Sequence, residues 1–197
     1  MVDIEFMEKN TAQRILDVAQ DIVRNRGYSA FSYADISQQV GIRKASIHYH
    51  FASKEELVKR LVQRYRDGMA RACDRISKLA ATPEQKLMEF ANLYRDGLVQ
   101  HQICLCAMLA ADFEVLPESI QDEIRGYFQQ VEEWLSTLLQ QGCDDGFWNC
   151  SPSPEHEAKT FISLFQGAQL LARSAANGDK AYEQIIYPVI QSKCSIR

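Results

Sequence analysis

Between residues 43 and 54 the chain gathers side chains suited to gripping a polyanion: Arg43, Lys44, Ser46, His48, Tyr49, His50 and Lys54. Two cations open the run, and either can donate to N7 and O6 of guanine. Ala45 and Ser46 are small and allow close approach to a base edge. His48 suits a hydrogen bond to a base or phosphate and, when protonated, would add pH dependence; simple packing is the alternative. Ile47 and Phe51 read as core. Thiols are the other reactive groups. The six cysteines at 73, 104, 106, 143, 150 and 194 show no CxxC and no Cys/His spacing typical of zinc. Neither a metal site nor a cofactor is expected, and in a cytosolic protein all six should be reduced.

The elements that must position the polar run are legible around it. Ser32 is a helix N-cap, and Asp35 three positions on completes a capping-box-like pair. Ile36 and Val40, four apart, turn one face inward. Gly41 can take the left-handed conformation that ends a helix, and Ile42 can plug the core beneath the turn. A second helix then carries Lys44 to His50. That layout is a helix-turn-helix, whose second helix enters the DNA major groove. Upstream, residues 11 to 28 place Ile15, Leu16, Ala19, Ile22 and Val23 on one stripe, with Gly27 as the stop.

The order I-L-x-x-A-x-x-x-V-x-x-x-G-Y, then S-x-x-D-I, then G-I-x-K-A-S-I-x-Y-H-F-x-S-K-E-x-L, closely resembles the TetR family of bacterial transcriptional regulators. The resemblance covers residues 10 to about 62; beyond them only length and helical pattern match. It implies a DNA-binding head over residues 1–53 and a ligand-binding and dimerisation body over 54–197, joined in a homodimer. It implies a repressor released from a palindromic operator by a small molecule. It places Ser32 and Tyr33 at the DNA backbone, Tyr49 and His50 as a phosphate-contacting pair, and Lys54 as a phosphate ligand at the next helix start. His48 departs from the Tyr or Phe more usual there. Some family members sense electrophiles through a sixth-helix cysteine, a part Cys104 could play if His101 lowered its pKa.

Charge supports the division. The net charge is −4, yet residues 1–66 hold 11 Lys+Arg against 8 Asp+Glu, and the remainder 11 against 18. A cationic head on an acidic body fits a DNA reader whose second part faces something else. The body reads as helices over 54–79, 83–100, 103–114, 117–141 and 155–177, followed by a ninth from Asp179, with DDGFWNCSPSP as a loop. Gly142 reads as the stop of the seventh helix. The chain is therefore expected to be all-α, with about nine helices. No 18-residue apolar run exists, and the acidic N-terminus lacks a signal pattern, so the cytoplasm is expected.

The eighth helix is apolar around more than half its circumference, and Ser163, Gly167 and Ala168 on it are small. A second apolar face implies a partner, here another copy of the chain. Pocket candidates are Tyr94, Leu98, Cys104, Met108, Phe113, Trp134, Phe165 and Gln169, and for each the plain alternative is core packing. Their chemistry suits an apolar or aromatic molecule. Cys104 and Cys106 point about 200° apart on a helix and cannot chelate one metal or pair with each other. A small all-α enzyme, such as a thiol peroxidase or transferase, is disfavoured by the missing phosphate loop and acid/base pair. An interaction protein with a purely structural helix-turn-helix is the third possibility.

Overall fold

The structure, a computed structural model, describes the backbone of residues 2–194 and the side chains from residue 10 onward. Among these residues there are nine α-helices and no strand: α1 (Val2–Arg26), α2 (Tyr33–Val40), α3 (Lys44–His50), α4 (Lys54–Leu79), α5 (Pro83–Val99), α6 (Leu105–Ala110), α7 (Glu118–Asp144), α8 (Pro154–Ala172) and α9 (Gly178–Cys194). A single 3-10 turn, Phe113–Val115, precedes α7. No described helix is long and apolar enough to cross a membrane. Packing divides the chain into two units. One comprises the chain through Arg66 with Leu105–Arg125; the other comprises Asp67–Cys104 with the chain from Gly126 onward.

In the first unit the apolar stripes converge. Ile15, Ala19 and Val23 of α1, Ile36 of α2, Ile47 of α3, and Leu57, Val58, Leu61 and Val62 of α4 are all wholly buried. Leu105 and Leu109 of α6 and Ile120 of α7 complete that core. Polar clasps add direction: Glu123 takes Gln63 at 2.6 Å and Arg66 at 3.1 Å, and Ser119 donates to Glu55 at 2.5 Å. The second unit is built on an aromatic cluster. Phe90 stacks on Trp134 at 5.0 Å, Tyr94 on Phe165 at 5.6 Å, and Phe161 approaches Phe165 at 5.7 Å. Such pairs favour the offset and tilted geometries seen here.

Several ends differ from the sequence reading. α1 begins at Val2, because residues 2–10 contain neither Gly nor Pro and continue the helix backwards. The helix expected over 103–114 shrinks to Leu105–Ala110. His101 takes the left-handed conformation (φ 57) that glycine usually fills, with its N–H on Leu98 O at 2.9 Å and Gln102 N–H on Gly97 O at 2.9 Å. That paired cap ends α5 and turns the chain before Cys104. Pro154 starts α8 at its first turn, where a missing N–H costs nothing.

Gly142 does not end α7. The helix runs to Asp144, and Gly146 (φ 74) closes it, with Gly146 N–H on Cys143 O at 3.0 Å and Phe147 N–H on Gly142 O at 2.8 Å. Gly142 is needed for a different reason: the Trp148 ring lies where its Cβ would be. That turn also corrects the expectation of six free thiols, since it brings Cys143 and Cys150 together in a disulfide, with Cα atoms 4.9 Å apart.

Gly142→Ala should therefore destabilise the body by about 1–3 kcal/mol, the usual cost of overpacking, even though Ala is the better helix former. A calorimetric Tm equal to that of the parent protein would contradict this role for the glycine.

Candidate functional site

The helix-turn-helix is built from its caps inward. Ser32 accepts from Ala34 N at 3.2 Å, while Asp35 accepts from Ser32 N at 2.8 Å and from the Ser32 hydroxyl at 2.7 Å. The Ser32 side-chain bond holds the Asp35 carboxyl below its ordinary pKa. At the other end of α2, Gly41 adopts φ 75 with its N–H on Ser37 O at 3.0 Å. The Ser37 hydroxyl donates to Ile42 O at 2.6 Å, and Arg14 of α1 reaches Val40 O at 2.8 Å. Arg14 thus serves the C-terminal end of α2, where carbonyls lack partners and a cation is favoured.

α3 is anchored on one side only. Ile47 is wholly buried and Phe51 nearly so, while Lys44, Ala45, His48 and Tyr49 are exposed and Ser46 and His50 half-buried. Arg43, exposed, is the residue on which α3 begins. Tyr33 donates its hydroxyl to Phe51 O at 3.0 Å, and its ring lies 4.7 Å from that of His48. Burial, with Glu56 adding to it, pushes the Tyr33 phenol up to about 12, so it remains a donor. A nitrogen of His48 sits 3.3 Å from Ala52 O, and the Tyr49 and His50 rings meet edge to face at 5.1 Å. The sequence-derived set from Ser32 to His50 therefore lies around one short helix and the turns that hold it.

Lys54 has a second occupation that sequence reasoning missed. Its ammonium donates to Tyr28 O at 2.7 Å and Phe31 O at 2.9 Å, and lies 4.3 and 4.4 Å from the centres of those two rings. Desolvation lowers its pKa, with Asp112 and Asp35 opposing the shift. Two of its three donors thus buckle the corner between α1 and α2. The helix start it was expected to mark is capped by Ser53, whose hydroxyl accepts from Glu56 N at 3.0 Å.

The expected pocket residues divide. Tyr94, Leu98, Cys104, Trp134, Phe165 and Gln169 belong to the second unit, Met108 and Phe113 to the first. Met108 lies beside Gly27, and the Phe113 ring carries the Arg125 guanidinium at 5.0 Å. Gln169 has a role that the sequence does not announce. Its buried amide donates to Tyr94 O at 2.7 Å and accepts from Cys104 N at 2.7 Å, which makes it a staple between α5, α8 and the segment before α6. Cys104 and the histidine expected to activate it differ in exposure. The Cys104 thiol is wholly buried beside Tyr127 OH at 3.5 Å, whereas His101 is exposed and caps α5.

An all-helical chain whose head presents one helix of a capped helix-turn-helix defines a DNA-binding protein of the helix-turn-helix class. Residues 15–61 match the family model described as bacterial regulatory proteins, tetR family. A TetR-family regulator from Agrobacterium tumefaciens is 33% identical, with 95% of this chain and 100% of that one covered at a TM-score of 0.91. A TetR regulator from Legionella pneumophila is 34% identical, covering 92% and 96% at 0.83. Among curated relatives, the repressor DhaR of a Mycobacterium species is 23% identical over 84% of this chain and 83% of its own length. The chain belongs to the TetR family and is a DNA-binding transcriptional regulator.

Two outcomes follow from the staples. Lys54→Met should lower the stability of the head by about 1.5–3 kcal/mol, the range for hydrogen bonds to a charged group. An unchanged unfolding transition would leave Lys54 no structural role. Gln169→Leu should cost about 1–3 kcal/mol in urea titrations, since both of its buried bonds are lost without change of volume class. A midpoint within error of the parent's would refute the staple.

Proposed function

We propose that the protein is a homodimeric repressor that holds a palindromic operator through α3 of each copy and releases it when a small molecule enters the body. The observation that carries the reading is the one-sided anchoring of α3, which leaves Lys44, Ala45, His48 and Tyr49 turned to solvent. Arg43 and Lys44 are the base-reading cations, and Ala45 and Ser46 give the backbone access to the groove floor. Tyr49 and His50 serve phosphates, which position the head without carrying sequence information. Ser32 and Tyr33 act at the DNA backbone and, through their bonds to Asp35 and Phe51, also set the pose of α3. Lys54 has one donor left for a phosphate.

Dimerisation is assigned to α8 and α9. Leu170, Leu171 and Val189 are exposed large apolar residues, and a groove of about 730 Å³ between the two helices is lined by Phe161, Leu164, Pro188 and Val189. Exposed apolar area of this kind is costly unless covered. The effector is assigned to the aromatic cluster of Phe90, Tyr94, Trp134 and Phe165, with Leu98 and Cys104 beside it, which suits an apolar or aromatic molecule. An effector that prefers heads set wider than the 34–36 Å or so between successive major grooves shifts the population away from DNA. α4 and α7, each continuous from one unit into the other, are the connections through which that preference would act. Repression follows the name carried by relatives such as DhaR. A regulator of the chromosome works in the cytoplasm.

Fluorescence anisotropy on the DNA upstream of its own gene and on random duplex tests the assignment. Lys44→Ala should lose about 1–3 kcal/mol of discrimination at one base position, and log affinity of both proteins should fall linearly with log salt. Equal losses on operator and random duplex would remove Lys44 from base reading.

A further inference from the structure

The last turn of α7 and the segment after it carry a reactive pair that the regulator reading does not use. The left-handed cap at Gly146 closes the helix, and Trp148 folds back onto Gly142 and donates its indole N–H to Leu139 O at 2.9 Å. These contacts hold the turn without any covalent help, so the thiols of Cys143 and Cys150 would stay neighbours if the bond between them opened. Their Cα separation of 4.9 Å lies within the range that bridges freely. Access is the second point. Cys150 is exposed and Cys143 half-buried, whereas Cys73, Cys104 and Cys106 are buried. Exposed bridges are the ones that exchange with solution thiols.

The bridge is also connected to the α8–α9 groove. Cys150 is followed by Ser151, which lines that groove together with Glu157 and Lys193. Lys193 pairs with Glu157 at 2.5 Å, and its ammonium lies 5.3 Å from the centre of the Trp148 ring. Ser153, three residues beyond Cys150, caps α8 by accepting from His156 N at 3.3 Å.

We propose that Cys143 and Cys150 form a reversible redox site, closed by a hydroperoxide and opened by low-molecular-weight thiols, and that the closed form shapes the α8–α9 face for a second copy of the chain. In closing, one thiolate attacks the peroxide O–O bond, becoming a sulfenic acid and expelling the distal oxygen as hydroxide or alkoxide. The second thiol attacks that sulfur, forms the S–S bond and releases water. In opening, two thiols exchange in turn with the bridge and leave as their own disulfide, returning both protein thiols. The consequence for association rests on the dimer reading above.

The test uses the full chain, treated with hydrogen peroxide or dithiothreitol, with the bonded pair mapped by alkylation and mass spectrometry and self-association measured by sedimentation. Peroxide should close this pair, and the closed form should associate about tenfold more tightly than the open one, about 1.4 kcal/mol of interface energy. Cys143→Ser and Cys150→Ser should both behave as the open form in either buffer. Cysteines that stay alkylatable after peroxide, or a dimer of equal strength in both states, overturn the redox site while leaving the dimer standing. A monomer in every state overturns both.

Discussion

A helix of seven residues has no stability of its own, because nucleating the first turn costs more than so few hydrogen bonds return. α3 is such a helix, and it is the element proposed to read DNA. Its existence depends on burial of Ile47 and Phe51, with α1 and α2 packed against it, and on the Tyr33 hydroxyl that bonds Phe51 O. The same anchoring decides which side chains remain outside. Because Ile47 points inward, Ala45 and His48 are turned away from the core, while Lys44, on the same side as Ile47, is exposed because it opens the helix. The Gly41 turn sets the angle between α2 and α3, and both the Ser37 hydroxyl and Arg14 guard its carbonyls. Weakening any of these contacts acts on DNA binding without touching a DNA-facing residue.

A second theme is the use of polar side chains to fasten backbone. Lys54, Gln169 and Trp148 each spend their hydrogen bonds on main-chain groups: two carbonyls between α1 and α2, a carbonyl and an amide between α5 and the segment before α6, and a carbonyl near the end of α7. Tyr28 O, Phe31 O and Cys104 N lie outside the helices and need such partners, whereas Tyr94 O and Leu139 O, within α5 and α7, take a second bond. Burial of such a group costs free energy unless it is satisfied, so these residues fix one geometry and penalise others.

The head was legible because its signals are local. The Ser32–Asp35 capping box, the Gly41 stop and the stripe of Ile15, Ala19 and Val23 all report on neighbours within one turn or two, and all form as read. The contacts that the sequence does not announce are those whose partner lies farther along the chain. Lys54 reads as a phosphate ligand, and its bonds to Tyr28 and Phe31, more than twenty residues away, leave no local trace. Gln169 reads as a pocket residue, and its bond from Cys104 N is equally hidden from any local pattern. Gly142 was read as a stop because glycine usually is one, whereas here it clears room for Trp148. His101 hid a helix end by doing the work of glycine, and the Cys143–Cys150 pairing escaped notice because its spacing is that of a folded turn and not of a familiar metal motif.

The central claim is that two copies of α3 read two half-sites related by symmetry. Selection of duplexes from a random pool by the purified protein, followed by sequencing, tests it most directly. The account predicts enrichment of an inverted repeat whose half-sites lie one helical turn, about 10 base pairs, or a multiple of it apart. Recovery of no common sequence, or of a single asymmetric half-site alone, would contradict it.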